Sequence, residues 1–196
     1  MTQTVLVTGA SGGIGRHVCE SLAEDGYQVF GVDRVASEWT FGKQFDIRDP
    51  QLVTHLKKEF DLGDLKAIVH CAAQQVIGKL GEQSLSTWQE TLATNLHSID
   101  HLTHGFREEL AENKGAVAVI GSVHAFVSRP EIGIYAISKA AMEGWVRAAS
   151  LDYAPIRVNS IAPGAIDSGK FVEFIEDAGA EGPSIRETLV KRTPLG

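Results

Sequence analysis

Thr4-Val5-Leu6-Val7-Thr8-Gly9-Ala10-Ser11-Gly12-Gly13-Ile14-Gly15 opens the chain as a short apolar run that breaks into a glycine cluster. The β-branched run reads as a strand, and residues 16–24 continue as a helix. Strand, glycine turn and helix together bring backbone amides and the positive helix end to one spot, the arrangement that holds a pyrophosphate. The spacing of Gly9, Gly13 and Gly15 departs from the usual G-x-G-x-x-G, and a glycine cluster alone marks only a flexible turn. Here residues 27–32 form a second strand ending in Asp33, twenty residues after Gly13. A carboxylate at that point accepts both ribose hydroxyls of an adenosine half. The stretch is therefore a candidate dinucleotide site.

The rest of the chain repeats the alternation. Residues 43–45 read as a third strand ending at Asp46, and Pro50 opens a helix over 51–60. A fourth strand spans 67–72. A long helix follows over 86–113, with Ser86 as its N-cap. Residues 116–120 and 157–161 are the fifth and sixth strands, separated by a helix over 135–153. Strands alternating with helices imply right-handed crossovers and a parallel sheet covered on both faces. The expected fold is α/β, a doubly wound Rossmann-type sheet in a single domain over 1–196. No repeat, low-complexity tract or linker interrupts it.

Composition narrows the partners. With 43% hydrophobic and 22% charged residues this is the make-up of a soluble globular protein. The net charge of −7 offers no basic run to meet phosphates, so neither nucleic acid nor an anionic membrane is expected. Val5 to Val7 run directly into Thr8-Gly9, leaving no signal-peptide pattern, and no stretch of eighteen apolar residues exists. Cys19 and Cys71 make no metal spacing and fit a reducing, cytoplasmic setting.

Tyr135-Ala136-Ile137-Ser138-Lys139 carries the second signal. A tyrosine and a lysine four residues apart share a helix face, which allows an ammonium beside a phenol. A free phenol titrates near 10, and lowering it by about three units takes about 4 kcal/mol. One ammonium at about 4 Å in an effective dielectric near 20 supplies about that much. Ser122, thirteen residues upstream, is positioned to hydrogen-bond a carbonyl or alcohol oxygen while Tyr135 passes the proton.

Taken together, these motifs resemble the short-chain dehydrogenase/reductase family over essentially the whole chain. Thr8-Gly9-Ala-Ser-Gly-Gly-Ile-Gly15 is similar to that family's cofactor loop, and Ser122, Tyr135 and Lys139 to its active-site set. Asn95 in Thr94-Asn95-Leu96 resembles the asparagine that holds a water in the proton relay. Asp46-Ile47 resembles the pair that packs on the adenine. Pro163-Gly164-Ala165-Ile166 resembles the turn that meets the nicotinamide carboxamide, with Ser168 where threonine is usual. The chain departs from the pattern at His70-Cys71-Ala72-Ala73, where the family has Asn-Asn-Ala-Gly. We read His70 as a structural variant and Cys71 as a small core hydrophobe.

The resemblance implies oxidation of a secondary alcohol, or reduction of a ketone, by hydride exchange with a nicotinamide cofactor. Tyr135 would be the general acid/base, Lys139 its electrostatic partner and ribose ligand, Ser122 the substrate-orienting group, and Asn95 the relay. The implied cofactor contacts are Gly9, Ser11, Gly12, Gly13, Ile14, Gly15, Asp33, Arg34, Asp46, Ile47, Ala72, Ala73, Tyr135, Lys139, Pro163, Gly164, Ile166 and Ser168. Asp33 favours NAD over NADP, because it would face a 2′-phosphate as a like charge. His124, two residues after Ser122, is a candidate substrate contact. His97, His101 and His104 follow helical spacing and read as an interface face; no metal site is expected, and Trp88 and Trp145 read as packing or interface residues. In this family the long helices form a dimer face, so a homodimer or homotetramer is expected. The alternatives are an NAD-dependent epimerase or dehydratase with the same Tyr-Lys pair, and a non-catalytic NAD-sensing protein. The family's last helix and strand have no counterpart before Gly196, and residues 167–192 would form the substrate lid.

Overall fold

The computed structural model describes residues 2–40 and 44–194. Five strands make one parallel sheet: β1 (Thr4–Thr8), β2 (Gln28–Val32), β3 (Leu65–His70), β4 (Ala116–Ile120) and β5 (Arg157–Ile161), in the order β2-β1-β3-β4-β5. From β1 the chain first steps outward to β2 through helix α1 (Gly13–Glu24). It then crosses back through α2 (Leu52–Glu59) to place β3 on the other side of β1. That reversal opens a crevice at the C-terminal ends of β1 and β3, where doubly wound sheets bind ligands.

Side chains alternate between the faces, as strand geometry requires. Leu6, Ile68, Val117 and Val119 join Leu52, Leu56, Ile99, Leu102, Phe106, Met142 and Val146 in one cluster. Val5 and Val7 face the other way, onto Cys19 of α1 and Val29. Every residue of β1 is buried, as expected for a strand covered on both sides. Among the described residues strand β5 pairs only with β4, and its Arg157, Asn159 and Ile161 are exposed.

Three expectations need correction. Residues 44–46 are not a strand: Phe45 donates one backbone hydrogen bond to Asp33 O (2.9 Å) and docks its ring edge-on against Phe60, which fixes the segment without a ladder. Lys43 lies outside the described residues, and among the described residues the sheet has five strands where six were expected. The long helix is broken into α3 (Leu85–Leu92), a π turn (Ala93–His97), α4 (Ser98–Gly105) and α5 (Arg107–Glu112). Its N-cap is Ser84, not Ser86: the Ser84 Oγ accepts the Thr87 N–H (3.1 Å). After β4, α6 (Gly133–Asp152) runs for 20 residues. Beyond β5 lie α7 (Lys170–Asp177) and α8 (Gly182–Arg192). Among the described residues no helix is long and apolar enough to cross a membrane.

Candidate functional site

The crevice is built on a backbone contact. Gly9 has φ +68, and a Cβ there would stand 2.6 Å from Ala72 N, so the turn after β1 lies directly on the loop after β3. A Cβ on Gly13 would stand 1.9 Å from the Ser168 Oγ and 2.8 Å from Gly169 N, so the segment before α7 lies on the glycine turn. Gly12 is the N-cap of α1 and has no side chain to occupy the first-turn N–H groups. Those donors and the helix dipole suit an anion.

A cleft of about 350 Å³ runs from this turn. Of the residues expected at a cofactor, it is lined by Gly9, Ser11, Gly12, Asp33, Arg34, Asp46, Ile47, Ala72 and Ala73. The Asp33 carboxylate is fixed by two backbone donors, Ser11 N–H to Oδ2 (3.0 Å) and Val35 N–H to Oδ1 (3.1 Å). Arg48 grips Asp46 with Nε on Oδ1 (2.9 Å) and Nη2 on Oδ2 (2.5 Å), holding that carboxyl below its usual range. Arg48, Gln74, Thr94 and Lys170 also line the cleft, and sequence reading did not single them out. Gln74 and Lys170 belong to no motif, so no local signal points to them. Gly13 and Ser168 meet each other beside the cleft, while Ile14 and Gly15 lie in the first turn of α1. Pro163 O accepts the Val123 N–H (3.0 Å), which ties the 163–168 segment to the turn after β4. Gly164 and Ile166 of that segment are exposed.

Ser122 lies two residues beyond β4 and caps a short turn by accepting the His124 N–H (3.1 Å). Tyr135 stands in the first turn of α6 and Lys139 one turn later. The Lys139 Nζ donates to Ile120 O (2.5 Å) and lies 5.8 Å from the Tyr135 ring centroid. Burial brings the Lys139 ammonium down to about 8, against smaller upward pulls from Cys71 and Glu143. The expected lowering of the Tyr135 pKa is not found. Burial pushes the phenol up, opposed by its hydrogen bond with Ser122, and Lys139 is committed to a strand carbonyl instead of the phenol oxygen. The His124 ring sits edge-on to Tyr135 with centroids 6.4 Å apart, and its Nδ1 is 3.2 Å from Val127 O.

Asn95 links the two halves. It is fully buried in the π turn, a feature frequent at functional sites. Its Oδ1 accepts the Gln74 N–H (2.7 Å), and its Nδ2 donates to Gln74 O (3.0 Å) and Ser138 Oγ (2.8 Å). The cleft wall is thereby fastened to the helix that carries Tyr135 and Lys139. His70 behaves as a structural residue. Its Nδ1 is hydrogen-bonded to the Thr8 Oγ1 (2.8 Å), and the same oxygen accepts the Ala72 N–H (3.3 Å). Burial, then the Lys139 charge, lower its pKa to about 3, and it stays neutral.

A model of the short chain dehydrogenase family matches residues 3–178, which is most of the chain. The chain belongs to that family. Staphylococcus aureus 3-oxoacyl-[acyl-carrier-protein] reductase FabG is 28% identical, over 100% of this chain and 84% of its own length. Galactitol 2-dehydrogenase (L-tagatose-forming) from Cereibacter sphaeroides is 27% identical, over 97% of this chain and 80% of its own. Among solved structures, ligand-free aldohexose dehydrogenase from Thermoplasma acidophilum superposes with a TM-score of 0.83 at 25% identity, covering 95% of this chain and 76% of its own. Cj0485 dehydrogenase superposes at 0.89 with 20% identity, covering 100% and 80%, which speaks for the fold.

In this short-chain dehydrogenase the buried Lys139 carries a stability cost of known sign. Its folded value of about 8 lies below the ordinary 10.5. Between those two values the unfolded chain holds a proton that the folded one has released, so stability rises with pH there; below pH 8 the full penalty applies. Replacing Lys139 by Met removes that dependence. In urea unfolding from pH 8 to 10.5, wild type should gain on Lys139→Met by up to about 3 kcal/mol. A pH-independent difference contradicts the assignment.

Proposed function

We propose that this short-chain dehydrogenase interconverts a secondary alcohol and a ketone with NAD. What supports the proposal is a chain of contacts: Ser122 hydrogen-bonds Tyr135, Lys139 follows one turn later on α6, and Asn95 joins Ser138 of that helix to Gln74 in the cleft wall. The glycine turn, the uncapped α1 terminus and the Asp33 carboxylate fit the two ends of an adenine dinucleotide. When bound, the cofactor supplies the hydride exchange. The protein supplies position and protons. Ser122 orients the substrate oxygen, and Tyr135 gives or takes the proton at its hydroxyl. Lys139 brings a positive charge that favours the phenolate once its Nζ turns from Ile120 O toward the phenol and a ribose. Asn95 fixes the wall and extends the relay. The names of the polyol dehydrogenase and the 3-oxoacyl reductase among the relatives support alcohol–ketone chemistry.

The chemistry is tested by Tyr135→Phe, which keeps the ring and removes the proton. Turnover should fall about a hundredfold or more while NADH binding stays near wild type. Retention of most activity contradicts the role of Tyr135.

NAD preference rests on Asp33, whose fixed charge would meet a 2′-phosphate. Arg34 lies in the same cleft and works in the opposite direction. Catalytic efficiency with NADH should exceed that with NADPH, and Asp33→Ala should narrow the ratio. Equal or better efficiency of the wild type with NADPH overturns the preference.

We also propose that the protein self-associates through α4 and α6. A groove of about 370 Å³ there is lined by His97, His101, His104 and Trp145, and the Asp100 Oδ1 accepts from both the Trp145 Nε1–H (2.9 Å) and the Tyr153 hydroxyl (3.0 Å). Sedimentation at micromolar concentration should give a dimer or tetramer; monomer alone contradicts it.

A further inference from the structure

Among the described residues, three cations line the cofactor cleft: Arg48, Arg34 and Lys170. Arg48 is committed to Asp46 through a two-point contact. Arg34 lies two residues beyond β2, next to Asp33, where the ribose of the adenosine half belongs. The third cation is Lys170, the first residue of α7. It lies two residues beyond Ser168, which meets Gly13, and next to Gly169, whose N also approaches Gly13. Lys170 therefore lines the cleft from the segment that lies on the glycine turn. Its partner is Glu173 on the same helix, an ion pair with both side chains more than half exposed (69% and 56%). Such a pair contributes little and is readily exchanged for a stronger one.

We infer that Lys170 is a pyrophosphate ligand carried by the lid segment, exchanging Glu173 for the cofactor phosphates. The inference rests on the dinucleotide reading of the cleft. A doubly charged pyrophosphate entering a protein of net charge −7, beside Asp33 and Asp46, meets repulsion that the N-terminus of α1 offsets only in part. An ammonium from the first residue of α7 adds positive charge and makes a charge-assisted hydrogen bond. Because it sits at the start of α7, its engagement also fastens the 167–170 segment over the glycine turn. Cofactor binding thus orders one wall of the substrate site before substrate arrives.

Calorimetric titrations with adenosine, ADP, NAD and NADP test this without reference to turnover. Lys170→Gln should weaken ADP and NAD by about fivefold or more, the order expected for one charge-assisted phosphate contact, and leave adenosine unchanged. The loss for NADP should match that for NAD, and the salt dependence of ADP binding should flatten. Glu173→Gln frees the ammonium and should tighten ADP. Unchanged ADP affinity in Lys170→Gln overturns the inference while the cofactor reading stands. Equal weakening of adenosine, or a loss confined to NADP, also overturns it, since the first is a structural disturbance and the second a 2′-phosphate contact. If the wild type binds none of the nucleotides, the dinucleotide reading fails and the inference falls with it.

Discussion

The contact between Gly9 and Ala72 is the constraint on which the rest of the site depends. A parallel sheet that reverses its winding beside β1 must part its connections at the strand ends, and the parting is useful only if the two loops stay close. Gly9 has no side chain, so its backbone rests on that of Ala72. The Thr8 hydroxyl ties the same two loops through Ala72 N–H and the His70 ring. From that junction, α1 leaves with its first amides uncapped, Asp33 is reached by Ser11 N–H, and Gln74 meets Asn95. A side chain at position 9 would separate β1 from β3 and disturb all three at once.

The second organising feature is the burial of charge. Lys139 is 2% exposed, and its ammonium is held by a strand carbonyl. Tyr135 is half-buried, and the same low-dielectric surroundings raise its pKa. Burial thus acts on the two groups in opposite senses of charge, favouring neutral lysine and neutral tyrosine. Neither shift makes a reactive phenolate at rest. A group that brings its own hydroxyls and positive charge between them changes the balance, which is why the proposed proton transfer is tied to an occupied cleft.

Much of this was legible in the sequence because it depends on local patterns. The strand–turn–helix of residues 4–24 and the Tyr135–Lys139 spacing need only short-range geometry. Asp33, which lines the cleft, follows from its position just after β2, whereas Ile47 came only from the family resemblance. The break at residues 93–97 was not legible, because a π turn keeps helical composition and differs only in which carbonyl each N–H selects. The third strand failed for another reason. Phe45 and Asp46 have the right alternation, but a single hydrogen bond to Asp33 and the packing against Phe60 settle the segment as a loop. Gln74 and Lys170 were missed because their place is decided by tertiary approach: Gln74 through Asn95, Lys170 through the meeting of Ser168 with Gly13. The sign of the Tyr135 shift was missed likewise, since spacing alone does not say that the phenol is buried, nor that Ile120 O claims the ammonium.

The central claim, that one cleft holds a nicotinamide dinucleotide with its reactive end at Tyr135, is tested most directly by a crystal structure of the protein grown with NADH. The account predicts the adenosine ribose on the Asp33 carboxylate, the pyrophosphate at the first turn of α1, and the nicotinamide ring beside Ser122 and Tyr135. A dinucleotide bound elsewhere, or bound in this cleft with its nicotinamide directed away from Tyr135, would contradict it.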